Sequence, residues 1–226
     1  MNNLKNFEYL VGDKNINKAS TEPYNEITCG FLGELSKELN LSAESQIYPD
    51  IKTFSFWIRK QNIYNLKKKF LSKEVRLGLG LIFHITPSNI PTNFAYSLIF
   101  GLITGNSNVV KVPSQKFKQV EIICKSINKI LKNRYKSIRK MISVVRYRDN
   151  DGYTKKISSI CNARLIWGGD NSINNIRKFS LNQRALDIAF ADRYSFCVIN
   201  ASEVLKLGIS DTKRLAGKFY NDTYIV

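Results

Sequence analysis

The stretch "HITPSNIPTNFAYSLIFGLITGNSNVVKVPS", from His84 to Ser114, decides the fold. It begins inside an apolar run, "LGLIFHIT", with glycines ahead of it, which suits a strand buried on both faces. A proline-framed turn follows, Thr86-Pro87-Ser88-Asn89-Ile90-Pro91. "TNFAYSLIFGLITG" then has helical length, a threonine at its start and Gly105 at its end. "SNVVKV" is a second short strand that runs out into Lys111-Val112-Pro113-Ser114. Strand, crossover helix and strand make one unit of a parallel sheet.

Downstream the alternation continues. "FKQVEIICKSINKILKNR" is an amphipathic helix with its basic residues late, where they suit the helix dipole. "MISVVRY" reads as a strand, "GYTKKISSIC" as a short helix and "ARLIWGG" as a strand. "NSINNIRKF" reads as a helix, "ALDIAF" and "SFCVIN" as strands, and "SDTKRLAGKFYND" as a helix. Upstream, from about Glu26 to Phe70, the apolar spacing is helical. The expected fold class is therefore α/β, a Rossmann-like parallel sheet with helices on both faces. A helical N-terminal arm (residues 1–72) precedes the nucleotide-binding domain (73–226).

Such sheets bind ligands beyond the carboxyl ends of their strands. Three stretches rich in chemistry fall at those ends: "TPSNIP", "KVPSQ" and "WGGD". The first is no ordinary dinucleotide fingerprint, because prolines stand where glycines would let backbone approach a pyrophosphate. What the rigid turn presents is the Asn89 amide, a preplaced dipole of the kind that suits an oxyanion. An asparagine in a proline-rich turn is also ordinary turn chemistry.

With 226 residues, 43% of them hydrophobic, the chain can bury a sizeable core. Its formal charge of +17 points to anionic partners: nucleic acid, a membrane surface or phosphorylated small molecules. The lysines and arginines are spread along every segment, and no nucleic-acid motif accompanies them, which favours a solvated basic surface. The cysteines, Cys29, Cys124, Cys161 and Cys197, show no Cys-x-x-Cys spacing, and His84 is the only histidine, so a zinc site is not expected. Scattered cysteines, no signal-peptide core and no membrane-length apolar run predict a cytoplasmic protein without a membrane span.

The motifs resemble the aldehyde dehydrogenase superfamily, whose first turn reads Pro-Trp-Asn-x-Pro and whose second strand ends in Lys-Pro-Ser. Here those are Pro87-Ser88-Asn89-Ile90-Pro91 and Lys111-Val112-Pro113-Ser114. The closer resemblance is to the LuxC-like acyl-CoA reductases of the bioluminescence type. It is carried by the opening stretch with "ARLIWGGDNSINNIRKF", "IAFADRYSFCVI" and "FYNDTYIV", and it runs from about Leu77 onward. The resemblance implies NADPH-dependent reduction of a long-chain fatty acyl-CoA or acyl thioester to the aldehyde. It makes Asn89 the oxyanion donor and Lys111 the residue that reaches the adenosine ribose or its 2′-phosphate. It places Thr86, Pro87, Ser88, Ser114, Trp167, Gly168 and Gly169 along the cofactor. An acyl-protein synthetase is an implied partner, and a full-length version could be a homo-oligomer.

Three departures stand out. The glycine-rich turn after the third strand becomes "RYRDNDGYTKKI", with a single glycine. Ala189 stands near the position of the general-base glutamate of oxidising members, whose loss suits a reductase. The family's nucleophilic cysteine follows "FYNDTYIV", past Val226, and the four cysteines present read as small buried hydrophobes. The chain is thus expected to be the cofactor-binding part of a reductase, cut before its catalytic domain and inactive alone. A non-catalytic nucleotide- or partner-binding remnant is the alternative, followed by a non-specific nucleic-acid-binding protein. His84 reads as a structural imidazole in preference to a general acid.

Overall fold

The computed structural model describes residues 7–70, 73–148, 151–193 and 196–224. In chain order the elements are β1 (Phe7–Val11), α1 (Glu26–Leu41), α2 (Ala43–Gln46), α3 (Pro49–Trp57), α4 (Lys60–Phe70), β2 (Leu81–Ile85), α5 (Asn93–Ile103), β3 (Ser107–Val112) and α6 (Lys118–Asn133). They continue with α7 (Lys136–Arg139), β4 (Ile142–Tyr147), α8 (Asp151–Ile160), β5 (Ala163–Gly168), α9 (Asp170–Arg177), β6 (Leu186–Ala191), α10 (Ala201–Leu205) and α11 (Ile209–Tyr224). The chain divides into two compact units, Met1–Asp192 and Arg193–Val226.

The first unit carries a six-stranded sheet in the order β1-β4-β3-β2-β5-β6. Every pairing is parallel except β1 with β4. The chain steps from β2 outward to β3 and β4, then returns to lay β5 on the other side of β2. That reversal makes the carboxyl ends of β2 and β5 a topological switch point, where such sheets bind ligands. β2 has no exposed residue, as its apolar run, interrupted only by His84, predicts for a central parallel strand.

Alternate residues feed two cores. Val110, Val112, Ile142 and Val144 face a cluster containing Phe94, Leu98 and Leu102 of α5 and Val120, Ile123 and Ile127 of α6. Leu81, Phe83, Ile85, Val109, Val145 and Ile166 face a second cluster with Ile157 of α8 and Ile173 of α9. Helices therefore cover both faces, as the alternation of strands and helices implies.

The N-terminal segment supplies four helices and one strand that its periodicity did not announce. β1 pairs antiparallel with β4, Phe7 opposite Tyr147 and Glu8 opposite Arg146. Helix α1 starts where the Asn25 side chain accepts from the Thr28 N–H, satisfying one orphan donor. Its Phe31, Leu32, Leu35 and Leu39 are buried in the same cluster as α5 and α6. Fully burying each such side chain stabilises by roughly 1.5–3 kcal/mol. Glu38 to Lys129 and Glu34 to Arg134, both 2.7 Å, tie α1 to α6 and its end. The expected boundary at residue 72 therefore runs through one shared core.

"SFCVIN" differs from expectation: its described residues, 196–200, form no strand, and Cys197 is exposed. An apolar run becomes a strand only where a neighbour pairs its backbone groups, and the described residues give 196–200 no such neighbour. The second unit consists of α10, capped where the Asn200 side chain accepts from the Glu203 N–H, and the longer α11. Among the described residues no helix is long and apolar enough to cross a membrane, and no group of residues could hold a metal ion.

Candidate active site at the carboxyl ends of the sheet

The loop after β2 is fixed from its first residue. Thr86 donates twice to the Lys111 carbonyl, from its backbone N–H at 3.2 Å and its hydroxyl at 2.8 Å, and is itself buried. This staples the start of the loop to the end of β3. Pro87 and Pro91 are half-buried, and Ser88 and Asn89 between them are exposed. The two rings immobilise a backbone that holds the Asn89 amide out toward solvent. Thr92 then precedes α5, whose first residue, Asn93, has a buried side-chain carbonyl oxygen with no donor among the described residues. Sequence reading passed over Asn93, because asparagine at a helix start is common; only its burial without a partner singles it out.

Behind this loop lies His84. It is fully buried, with Nδ1 2.8 Å from the Ser97 hydroxyl of α5 and Nε2 2.9 Å from the Asn108 side-chain oxygen of β3. Burial, offset only in part by the Asn108 hydrogen bond, lowers its pKa to about 4. It is a neutral, structural imidazole and takes no part in proton transfer at the surface.

Across the switch point, β5 ends in Trp167-Gly168, and Gly169 follows. The indole of Trp167 stacks on Phe190 of β6, centroids 4.0 Å apart. Its Nε1 is buried and has no acceptor among the described residues. Gly168 has φ +152°, a conformation side chains rarely adopt. Gly169 is the N-cap of α9 and offers no side-chain oxygen, leaving backbone donors at the helix start. Asp170, in the first turn, places a carboxylate there and opposes an incoming anion. Ala189 sits on β6, half-buried, paired with Ile166.

Lys111 closes β3. It is half-buried, and its ammonium lies 5.1 Å from the Tyr147 ring centroid. Ser114, three residues on, lines a cleft of about 410 Å³ together with Lys116, Arg146, Arg148, Glu8 and Tyr147. The structure thus sorts the expected residues into two groups. Thr86–Asn89 and Trp167–Gly169 flank the switch point at β2 and β5, while Lys111 stands near the end of β3 and Ser114 in the loop after it. β3 neighbours β2, with Lys111 paired to Ile85, so the second group begins one strand, roughly 5 Å, to one side. Lys116, Arg146 and Arg148 were not singled out from the sequence, where they are three cations among 35 lysines and arginines. The single-glycine turn after β4 falls partly on residues 149 and 150, outside the described residues; its Gly152 lies in the first turn of α8.

None of the cysteines of the first unit is poised as a thiolate. Burial pushes the Cys124 thiol far above its ordinary value and Cys161 up to about 11, and it raises half-buried Cys29 too. The Cys29 sulfur donates to the Tyr24 carbonyl at 3.4 Å.

The fold is that of aldehyde dehydrogenases. Lactaldehyde dehydrogenase from Escherichia coli superposes with a TM-score of 0.57 at 12% identity, covering 81% of this chain and 48% of that one. The NAD-dependent benzaldehyde dehydrogenase from Corynebacterium glutamicum gives 0.55 at 12% identity, over 76% and 42%. Glyceraldehyde-3-phosphate dehydrogenase GapN from Methanocaldococcus jannaschii, complexed with NADP, gives 0.52 at 17% identity, over 74% and 41%. The chain spans less than half the length of each of these enzymes. No curated protein matches it in sequence. A sequence profile of the acyl-CoA reductases called LuxC matches residues 60–217, which include both sides of the switch point and the ends of β3 and β4. The chain belongs to the LuxC acyl-CoA reductase family.

Proposed function

We propose that this chain is the NADPH-binding part of a reductase that converts a long-chain fatty acyl thioester to its aldehyde. The observation that carries the reading is the placement of the Asn89 amide. The Thr86 staple to Lys111 and the two prolines hold it rigidly at the β2–β5 switch point, in a chain of the LuxC family. An amide N–H fixed in advance stabilises an acyl carbonyl oxygen as negative charge builds on it, without reorganisation.

The cofactor fits the residues present. Gly168 and Gly169 leave room for close approach at the start of α9, Lys111 and Ser114 would take the adenosine ribose, and Trp167 Nε1 is a buried donor with no acceptor among the described residues. Asp170 opposes the pyrophosphate there, so the hold on that group comes from backbone donors and not from charge. NADPH, when bound, supplies the hydride. Asn89 orients and polarises the acyl carbonyl.

The acyl group passes through a thiol that Cys29, Cys124 and Cys161 do not supply: two are buried, and all three are held in the thiol form. Cys197 lies in the second unit and is exposed. An acyl-protein synthetase that delivers the acyl group is the partner this chemistry calls for. In the test, acyl-CoA-dependent NADPH oxidation is followed with aldehyde detection, for these 226 residues and for any longer chain that contains them. We expect cofactor binding without turnover by the 226 residues. In an active longer chain, Asn89→Ala should lower kcat by roughly 10²–10³-fold. Robust turnover by the 226 residues, or a normal kcat for Asn89→Ala, would count against the reading.

A further inference from the structure

We propose that the outer face of α3 and α4 docks on an anionic lipid surface, with its exposed aromatic rings set in the headgroup layer and the cations around them on lipid phosphates.

Cations are spread along the whole chain, but carboxylates are not. Residues 51–70 hold six lysines and arginines and no aspartate or glutamate. Of the six, Lys67 turns inward and donates to the Tyr24 carbonyl at 3.4 Å. The other five, Lys52, Arg59, Lys60, Lys68 and Lys69, are exposed, and none pairs with a carboxylate among the described residues. On α6 and just after it, by contrast, Lys125, Lys129 and Arg134 each meet a glutamate. Two carboxylates border the face: Glu26 shares a cleft with Lys60 and Lys67, and Asp50 acts on Tyr96. Five cations against these two leave the face positive.

Its aromatic residues do not serve the core. Ile51, Phe54, Ile58 and Ile63 already fill the buried side of this helix pair. Phe56, Tyr64 and Phe70 are each more than half exposed. Two of these rings carry a cation: the Arg59 guanidinium lies 3.6 Å from the Phe56 centroid, and the Lys69 ammonium 5.1 Å from that of Phe70. Lys60 and Lys68 stand one helical turn either side of Tyr64, on the same stripe of α4. A ring with a cation beside it suits the headgroup layer, where the ring beds among apolar groups while the cation reaches phosphate. A nucleic-acid backbone would use the cations and leave the rings in water, and Arg59 already occupies one face of Phe56 that a base would need for stacking.

Next to Phe56, the half-buried Trp57 has its ring 5.2 Å from that of Phe100, about two turns along α5 from its start beside the Asn89 loop. Docking through this face leaves that loop free. On the function proposed above, substrate and product carry long chains that partition into a bilayer, and docking keeps the reductase beside them.

Flotation at low salt measures binding of the 226-residue chain to phosphatidylcholine vesicles with and without phosphatidylglycerol. The anionic vesicles should bind at least about tenfold tighter, and added salt should shrink the excess. Lys60→Gln/Lys68→Gln/Lys69→Gln should weaken that binding roughly a hundredfold, at about fivefold per cation. The same charge removed around α7, in Lys132→Gln/Lys136→Gln/Lys140→Gln, should weaken it far less. Phe56→Ala, which keeps the charge, should weaken it severalfold; circular dichroism checks the fold of each variant. Equal losses in the two triple variants would show a diffuse attraction of the whole chain and overturn the inference. Equal binding to the two kinds of vesicle, or unchanged binding by Phe56→Ala, would overturn it too. A tighter hold on duplex DNA than on anionic vesicles at the same salt, lost in the first triple variant, would assign the face to nucleic acid instead. Each of these failures would leave the reductase reading standing.

Discussion

His84 Nε2 donates to the Asn108 side-chain oxygen at 2.9 Å, and the direction of that bond is set by a third residue. The Asn108 amide nitrogen donates to the Asn106 carbonyl at 2.7 Å, so its oxygen is what faces the imidazole. Nε2 therefore carries the ring proton, and Nδ1 accepts from the Ser97 hydroxyl. The chain of bonds joins β2, β3 and α5 directly behind the loop that presents Asn89.

A pH dependence follows. The folded protein keeps His84 neutral down to about pH 4, while the unfolded chain protonates it near 6.5. Its contribution is fully present above pH 6.5 and is lost as the pH falls from 6.5 toward 4, by about 3 kcal/mol in all. Urea unfolding of the chain and of His84→Gln between pH 7.5 and 4.5 isolates it from the carboxylates. The difference in stability between the two should narrow as the pH falls; a pH-independent difference would rule out this coupling.

Gly101 packs against the same network. A Cβ there would collide with the Asn108 side-chain oxygen and come within 3.1 Å of His84 Nε2. Gly101→Ala is expected to destabilise by roughly 1–3 kcal/mol, despite alanine's better helix propensity. Thermal denaturation reads this directly, and a raised Tm would mean that Asn108 can turn aside without cost.

Arg164 is 1% exposed and uses its whole fork. Nε and Nη2 donate to the two Asp187 oxygens at 3.2 and 2.9 Å, and Nη1 donates to the Ser158 hydroxyl and the Ile176 and Phe179 carbonyls. This fastens β5, β6, α8 and the end of α9 together below Gly168. Arg164→Ala should cost about 3–5 kcal/mol, because the Ser158 hydroxyl and two carbonyls lose a donor and Asp187 keeps only Arg177, at 3.3 Å. Arg164→Met/Asp187→Leu, which removes both charges, should recover much of that loss. Equal loss in the two variants would show that packing, not the stranded carboxylate, dominates.

Lys111→Ala should weaken NADPH binding about tenfold or more, the loss of roughly 1.5–3 kcal/mol for a charged hydrogen bond. The gain in NADPH fluorescence on binding measures it. Unchanged affinity would return Lys111 to being a strand-end lysine over the Tyr147 ring.

Much of this architecture is written locally. The apolar run of β2, the glycine after α5 and the late basic residues of α6 each specify an element through short-range physics, and their alternation specifies a parallel sheet. β1 was not legible, because five residues with mixed polarity become a strand only when β4 offers its edge. "SFCVIN" misled for the converse reason: its apolar pattern finds no pairing edge among the described residues.

For the site, the sequence by itself determined which residues stand at the strand ends: the rigid asparagine after β2, the lysine near the end of β3 and the glycine pair where β5 stops. Backbone chemistry and short motifs are enough for that. Only the tertiary structure decided that Lys116 and Arg148 share a cleft with Ser114, that Arg146 is held by Glu8 and Glu121, and that His84 is sealed away from the loop it precedes. These relations join segments far apart in the chain. Strand order and side-chain burial set them, and no local pattern of residues encodes either.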